Sequence, residues 1–290
     1  MYLDIASPEK CIFIGYMLHY QQYYPSARLA DLIECYWVLH APDRFMDTPD
    51  RLIPGGRVEL IFNFEDPADW LITPDNPKGT RLSGPVIMGQ RNQVFYVKST
   101  GKTNMLGLRF KPGGLAAFTN LPVSDLLNVL LPAELILGTS VKALEMQLAD
   151  FPNDNLRIQA LDTLLSAALR NTPTDQVVLN MAINMLRKSQ DDTSIDHICQ
   201  QTGWYYKKLE RIFLKNIGYT PKYYHKILRF NKAVRFMQTN NTLTAVSHVC
   251  NYFDQAHFIR DFRLFTGTTP TQFKKEDNKI ADILIKHQSV

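Results

Sequence analysis

Cysteine is scarce in this chain, and no apolar run is long. The four cysteines, Cys11, Cys35, Cys199 and Cys250, lie far apart in apolar surroundings. They lack the paired spacings that suit zinc or a thiol–disulfide couple, so they read as reduced core residues. No apolar stretch approaches the roughly 20 residues needed to span a bilayer, and no basic segment followed by an apolar stretch and a cleavage site opens the chain. The expected location is the cytoplasm, with no membrane partner. Histidine is thin where catalysis would need it: only His19 and His40 fall in the first half, and His197, His225, His248, His257 and His287 are scattered beyond. A multi-histidine metal site is therefore poorly supported. There is no Walker loop and no Gly-x-Ser-x-Gly elbow, and Lys111-Pro-Gly-Gly114 has the wrong order and spacing for a phosphate loop. An enzyme with its chemistry in the first half would need a convergent acid, base or metal set. None stands out, so the expectation is no enzyme, no metal and no cofactor.

What the chain does have is length and an uneven charge. At 290 residues it can bury two separate cores. Residues 1–170 carry 15 Lys/Arg against 18 Asp/Glu, a balance of −3, whereas residues 171–290 carry 17 against 10, a balance of +7. The basic part is the one to examine for phosphate contact, although a solvated Lys-rich helical surface gives the same imbalance.

From Pro25 to about Leu121 short apolar segments alternate with turn residues. Cys35–His40, Val58–Phe64, Val94–Val97 and Met105–Phe110 read as strands, separated by Ile53-Pro-Gly-Gly56, Thr73-Pro-Asp-Asn-Pro77, Ser83-Gly-Pro85 and Lys111-Pro-Gly-Gly114. Residues 1–121 are thus expected to form a β-rich domain, barrel or sandwich-like. Residues 122–172 turn to helical periodicity, with Leu126, Leu127, Leu130 and Leu131 followed by stretches from Leu137 to Leu148 and Leu156 to Leu169, and are expected to be a helical connector. A stripe of Leu161, Leu164, Leu165 and Ala168 would pack on the strand domain or pair with its copy in a second subunit, packing within the chain being favoured. Residues 173–276 read as almost wholly helical, and 277–290 as a tail, giving an α+β chain.

Two stretches of the helical part share one plan about fifty residues apart. In the first, Ser194 is a good N-cap, Ile195, Ile198 and Cys199 make a short apolar face, Gly203 breaks the helix, and a second helix runs from Tyr206 through Leu209, Ile212 and Phe213. In the second, Thr242 or Thr244 opens a helix bearing Val246, Val249 and Cys250, Asn251 breaks it, and Asp254 caps a helix with Phe258, Phe262 and Phe265. Gly and Asn suit a tight turn that needs left-handed φ. Between the units, Pro221 to Gln238 reads as one long amphipathic helix.

The run from Cys199 to Phe213, then Gly218-Tyr-Thr-Pro221, Arg229, Tyr252 to Phe262 and Gly267-Thr-Thr-Pro270, resembles the AraC/XylS family of transcription regulators over roughly residues 174–275. The resemblance implies two helix-turn-helix units whose second helices enter successive major grooves about 34 Å apart. It further implies duplex promoter or operator DNA as partner, and RNA polymerase as well if the protein is an activator. Leu209, Ile212, Phe213, Phe258, Phe262 and Phe265 fall on the buried stripe. By similarity to the family, Lys207, Glu210 and Arg211, with Tyr206 at the helix start, are the base-reading residues of the first unit. In the second, the corresponding positions are Gln255, Ala256, Ile259 and Arg260, with His257 alongside. Arg reaches guanine O6 and N7, Glu accepts from cytosine N4, and an apolar side chain meets the thymine methyl. The alternatives are a solvated Glu210–Lys207 pair and an ion pair of Arg260 with Asp261 or Asp254. Lys208, Lys215, Lys222 and Lys226 are expected to meet phosphates or only solvent. Two residues depart from the family pattern: Tyr205 stands in place of a Ser cap and Asn251 in place of Gly.

The first half, through Tyr36-Trp37, Leu52–Phe64, Gly84-Pro85 and Gly107–Gly114, resembles an uncharacterised domain that recurs ahead of this helix-turn-helix type. The wider family implies a β-rich domain there that senses a small-molecule effector or mediates homodimerisation. Trp37, Arg57, Glu59, Arg109 and Phe110 are the candidate pocket residues, an internal Glu59–Arg109 ion pair being the plainer alternative.

Overall fold

Strands form where β-branched and aromatic residues run between Pro/Gly turns, and the two sheets they build differ in how many faces they bury. The computed structural model describes residues 10–14, 18–43, 48–74, 79–169, 175–188, 195–239, 242–276, 278 and 280–281. Its strands are β1 (Lys10–Ile14), β2 (Leu18–Tyr23), β3 (Ile33–Ala41), β4 (Asp50–Leu52), β5 (Glu59–Asn63), β6 (Ala68–Leu71), β7 (Thr80–Leu82), β8 (Val86–Met88), β9 (Phe95–Ser99), β10 (Thr103–Phe110) and β11 (Leu130–Pro132). They pair antiparallel into a seven-stranded sheet, β1-β2-β3-β10-β5-β8-β11, and a four-stranded sheet, β4-β9-β6-β7.

The large sheet is covered on both faces, which is why β3 is almost continuously buried rather than alternating with solvent. Its Cys35, Trp37 and Leu39 join Leu52, Trp70 and Phe95 in a core shared with the small sheet. Its Tyr36 and Val38 face a second core with Leu60, Phe62, Leu108 and Phe110, closed by helices. Gly107 stands opposite Trp37 in the register, where a Cβ would fall 2.1 Å from the indole, so a bare backbone is required beside that ring.

The covering helices are α1 (Glu134–Leu137), α2 (Ser140–Asp150) and α3 (Asp154–Ala168). The Asn153 side chain caps α3 by accepting from the Leu156 N–H at 3.1 Å. Of the expected stripe on α3, Leu161 and Leu165 are buried against the sheet together with Ile158, whereas Leu164 is 42% exposed and Ala168 lies in solvent. Asp162 takes the inward place the stripe left open, accepting hydrogen bonds from the Tyr36 hydroxyl and the Ser26 N–H, each at 2.9 Å. The start of the expected helical connector is corrected. Val123–Leu126 is a single 3-10 turn, and Leu130–Pro132 is an edge strand pairing with β8. Pro132 fits there because an edge position asks for no ladder N–H.

The C-terminal part holds α4 (Gln176–Lys188), α5 (Ile195–Thr202), α6 (Tyr206–Ile217), α7 (Pro221–Gln238), α8 (Leu243–Val249), α9 (Gln255–Thr266) and α10 (Pro270–Phe273). Phe213, Tyr224, Phe230, Phe258, Phe262, Phe265 and Phe273 form its centre with edge-to-face and tilted rings. Gly203 and Asn251 adopt φ of +70° and +56°, the left-handed turns the sequence calls for. Thr242 caps α8 and Asp254 caps α9, while Tyr205 at the start of α6 makes no side-chain cap. Ser194, Asn240 and Asn241 lie outside the described residues.

The two parts are closely packed. Gly218 ends α6 with φ +90°, and a Cβ there would stand 3.0 Å from the Val123 carbonyl oxygen. Gly267 ends α9 with φ +74°, and a Cβ there would meet the Tyr96 hydroxyl at 3.1 Å. The Tyr219 hydroxyl donates to the Arg91 carbonyl at 2.5 Å and that of Tyr223 to the Asn92 carbonyl at 3.1 Å. Ile53 is buried in the helical core, and a Cβ at Gly56 would stand 3.2 Å from the Tyr224 ring and 3.3 Å from Ile227.

Gly203 and Gly218 separate backbone strain from domain packing, because a Cβ at Gly203 would meet nothing within 4 Å. Gly203→Ala is expected to cost about 1–2 kcal/mol for the left-handed backbone alone. Gly218→Ala is expected to cost more and to lower the thermal midpoint further. Equal losses in thermal unfolding would argue against tight packing on Val123.

Candidate nucleic-acid interface and ligand cavity

Each of α6 and α9 has one buried and one open face, set by its own periodicity. On α6 Leu209, Ile212, Phe213 and Ile217 point into the core, leaving Tyr206, Lys207 and Arg211 exposed and Glu210 half-buried on the other side. Glu210 accepts from the Tyr206 hydroxyl at 3.1 Å, one turn away, rather than pairing with Lys207. Lys208 lies over the Trp204 ring, 5.0 Å from its centre, so its charge is drawn to the turn as well as to solvent.

On α9 Phe258, Phe262 and Phe265 are buried, Gln255, Ala256 and Arg260 are exposed, and Ile259 is half-buried. The Asp254 carboxylate accepts from the His257 N–H at 2.6 Å. Arg260 has no ion pair among the described residues, so neither Asp254 nor Asp261 takes it. Gln255 accepts from the Thr244 hydroxyl at 3.2 Å through its side-chain oxygen, which leaves its amide nitrogen unused by this bond. His257 is turned inward: its Nε2 lies 3.5 Å from Arg229 Nη2 and 3.7 Å from an Asp261 oxygen.

Asp261 is the residue the sequence concealed. It is buried between α7 and α9, where Lys226 Nζ approaches to 2.9 Å and Arg229 Nη2 to 3.5 Å. Arg229 also stacks on Tyr252, 4.5 Å from the ring centre. Lys226 is thus held by a carboxylate rather than free for phosphate, whereas Lys215 and Lys222 remain exposed. An Asp beside Arg260 in sequence reads as a surface residue; only its place between Phe258 and Phe262 on the buried stripe signals otherwise. Phe253, just before the cap, is 94% exposed, and it too was not singled out by the sequence.

In the N-terminal domain the sheets leave a cavity of about 90 Å³ between them. Trp37, Glu59 and Arg109 line it, with Leu39, Ile61 and Met88. Arg57 and Phe110 are not among its lining residues. Phe110 neighbours Arg109 on β10 and so points to the opposite face, into the helix-covered core beside Phe118. Arg57 precedes β5 and pairs with Glu34 at 2.8 Å, within electrostatic reach of Tyr224. Arg109 Nε donates to Glu59 at 2.6 Å, so the ion pair and the cavity wall are the same residues. Burial alone would lower the Arg109 pKa, but Glu59 and its neighbours outweigh it and keep the guanidinium charged. Burial dominates for Arg57 and lowers it, and it pushes the Cys35 thiol up to about 12, far from a reactive thiolate. Among the described residues no group of three or more His, Cys, Asp or Glu is arranged to hold a metal. No helix among them is long and apolar enough to cross a membrane.

Comparison with known proteins divides the chain along the same line. Residues 21–132 match a domain of unknown function (DUF6597), and residues 198–276 match a helix-turn-helix domain. The HTH-type transcriptional regulator ArgR of Pseudomonas aeruginosa is 29% identical over 125 residues, 43% of this chain and 36% of ArgR. The HTH-type transcriptional activator AarP of Providencia stuartii is 29% identical over 99 residues, 33% of this chain and 73% of AarP. The chain therefore spans only about a third of the length of the first of these relatives. Among solved structures, ToxT from Vibrio cholerae aligns with a TM-score of 0.46 at 10% identity, over 79% of this chain and 94% of that one. Residues 198–276 thus form an AraC-type helix-turn-helix domain, preceded over residues 21–132 by a DUF6597 domain.

Proposed function

We propose that this protein is a sequence-specific DNA-binding regulator of transcription acting in the cytoplasm, whose N-terminal domain senses a small molecule. The observation that carries the reading is the pair of helix-turn-helix units with open reading faces: Lys207 and Arg211 on α6, Gln255 and Arg260 on α9, all exposed and none in an ion pair among the described residues. Insertion of α6 and α9 into successive major grooves brings these side chains to base edges. Tyr206 and Glu210 flank the first set. Ala256 and Ile259 supply the apolar contact of the second, and His257 acts by bracing α9 through Asp261. Exposed Lys215 and Lys222 serve phosphates. A cavity within the N-terminal sheets favours ligand sensing over dimerisation alone as that domain's role. RNA polymerase is a partner in the activator form of this reading, and a second copy of the chain in the dimeric form.

Selection from random duplex DNA with the full-length protein is expected to enrich two short boxes about one helical turn, roughly 34 Å, apart. Enrichment of a single box would remove one unit from the reading; salt-sensitive binding without any enrichment would remove base recognition altogether.

Base and phosphate contacts separate by salt. Arg260→Ala is expected to cost about 1–3 kcal/mol on the selected site and to relax preference at one position, while Lys215→Ala weakens all sequences alike and flattens the salt slope. Equal loss on selected and random duplex for Arg260→Ala would assign it to the backbone.

A further inference from the structure

The polar groups around the N-terminal cavity are nearly all spoken for, and the exception defines what fits. Asn63 donates to the Asp66 carbonyl at 2.9 Å, Ser99 to the Gly101 carbonyl at 2.6 Å, and the Tyr20 hydroxyl accepts from Gln22 at 2.9 Å. Thr103 lies 3.3 Å from the Ser99 hydroxyl. Arg109 is the one cation of the wall, 1% exposed and bound to Glu59 at 2.6 Å. Behind it the charges alternate, Glu34 lying 3.9 Å from Arg109 and 2.8 Å from Arg57. Arg91 is buried nearby but donates to the Ile53 carbonyl and lies outside the wall. A carboxylate entering here would have to take a cation away from a buried partner, which is costly. The indole N–H of Trp37 is different: it is buried, belongs to a wall residue and has no hydrogen-bond partner. A buried donor left unmade is a standing cost that a ligand acceptor relieves.

Ile280, from beyond the helix-turn-helix domain, completes the wall. Its N–H donates to Asp50 at 2.6 Å, while the neighbouring Arg51 holds the Asn278 side-chain oxygen at 2.9 Å and Glu276 at 2.5 Å. The same Arg51 donates through Nε to the Thr266 carbonyl at the end of α9, at 3.1 Å. With Ile280 in place the cavity of about 90 Å³ falls well short of the roughly 300–1,000 Å³ of sites that enclose a whole ligand.

We propose that the cavity binds an uncharged, mainly apolar molecule carrying one hydrogen-bond acceptor for the Trp37 indole, and that this molecule competes with Ile280 for the space. The inference rests on the sensing role proposed above. It ties the occupant to the reading domain, because the segment that must yield is held by the residue that holds the end of α9.

The test uses full-length protein and Prodan, a neutral dimethylaminonaphthalene with a single ketone, followed by the blue shift of its emission. Prodan is expected to bind, and Ile280→Ala to tighten it about tenfold with thermal unfolding otherwise preserved. Asp50→Asn, which weakens the anchor of Ile280 without touching the cavity wall, should act in the same direction. Trp37→Phe should weaken Prodan about tenfold, yet leave 2-dimethylaminonaphthalene, which lacks the ketone, unchanged. Unaltered Prodan affinity in both Ile280→Ala and Asp50→Asn would overturn the competition. Binding of 6-dimethylamino-2-naphthoate as tight as that of Prodan would overturn the preference for a neutral ligand. Selection of DNA boxes by a protein that binds none of these probes would remove this inference and leave the DNA-reading one standing; Prodan binding without box selection would do the reverse.

Discussion

The arrangement depends most on where the two reading helices end. Both α6 and α9 stop at a left-handed glycine, Gly218 and Gly267, and both glycines are pressed against the N-terminal domain, at Val123 and at Tyr96. The opposite ends of these helices carry the exposed Lys207, Arg211, Gln255 and Arg260. A helix is stiff over three turns, so fixing its C-terminal end fixes where its N-terminal side chains stand. The start of α7, the helix that joins the two units, is held by the same domain through Tyr219, Tyr223 and Tyr224. One domain thereby bears on both reading helices and on the spacer between them, and duplex DNA, with its fixed helical repeat, is sensitive to that spacing.

A row of buried charges connects this contact to the cavity. Arg57 lies beside Tyr224 at the domain boundary and pairs with Glu34; Glu34 approaches Arg109; Arg109 and Glu59 form part of the cavity wall. Taking four charges out of water costs more than their attraction returns unless each is well partnered, so such a row contributes little to stability as a whole. Its effect is on arrangement. Because removing or displacing one member leaves its neighbour buried and unpaired, the row tolerates few relative positions of the strands and of α7.

The reading domain was legible because its signals are local. Caps at Thr242 and Asp254, breaks at Gly203 and Asn251, and aromatic stripes at helical spacing each act within a few residues, and each appears where the sequence places it. The four strands expected from apolar runs are present as β3, β5, β9 and β10, but the short strands β4, β7, β8 and β11 carry only three residues apiece, too few for a period to show. Leu130 and Leu131 follow a leucine-rich stretch and read as helix; their place at the edge of a sheet is decided by β8, more than forty residues earlier. Non-local partners also hid the buried charges. Asp162 and Asp261 look like surface residues until Tyr36 and Lys226 arrive from elsewhere in the chain. Arg57 was named for a pocket because a charge among apolar strands must find a partner, and it found Glu34 at the domain boundary instead.

The two helix-turn-helix units are not held in the same way, and this bears on which of them the N-terminal domain governs. The second is largely self-sufficient: Asp254 caps α9, and buried Asp261 braces it to α7 through Lys226 and Arg229, with His257 alongside. The first has Tyr205 where a cap would sit, and the side chain caps nothing. A missing cap costs about 1 kcal/mol, and α6 offsets it by packing along the 3-10 turns at Gly114–Ala117 and Val123–Leu126 of the N-terminal part. The position of α6 is thus borrowed from the domain that contains the cavity, while that of α9 is secured mainly within its own unit and touched by Arg51 at Thr266. The two units therefore lean on the N-terminal domain unequally, α6 through two 3-10 turns and α9 at its end through Tyr96 and Arg51.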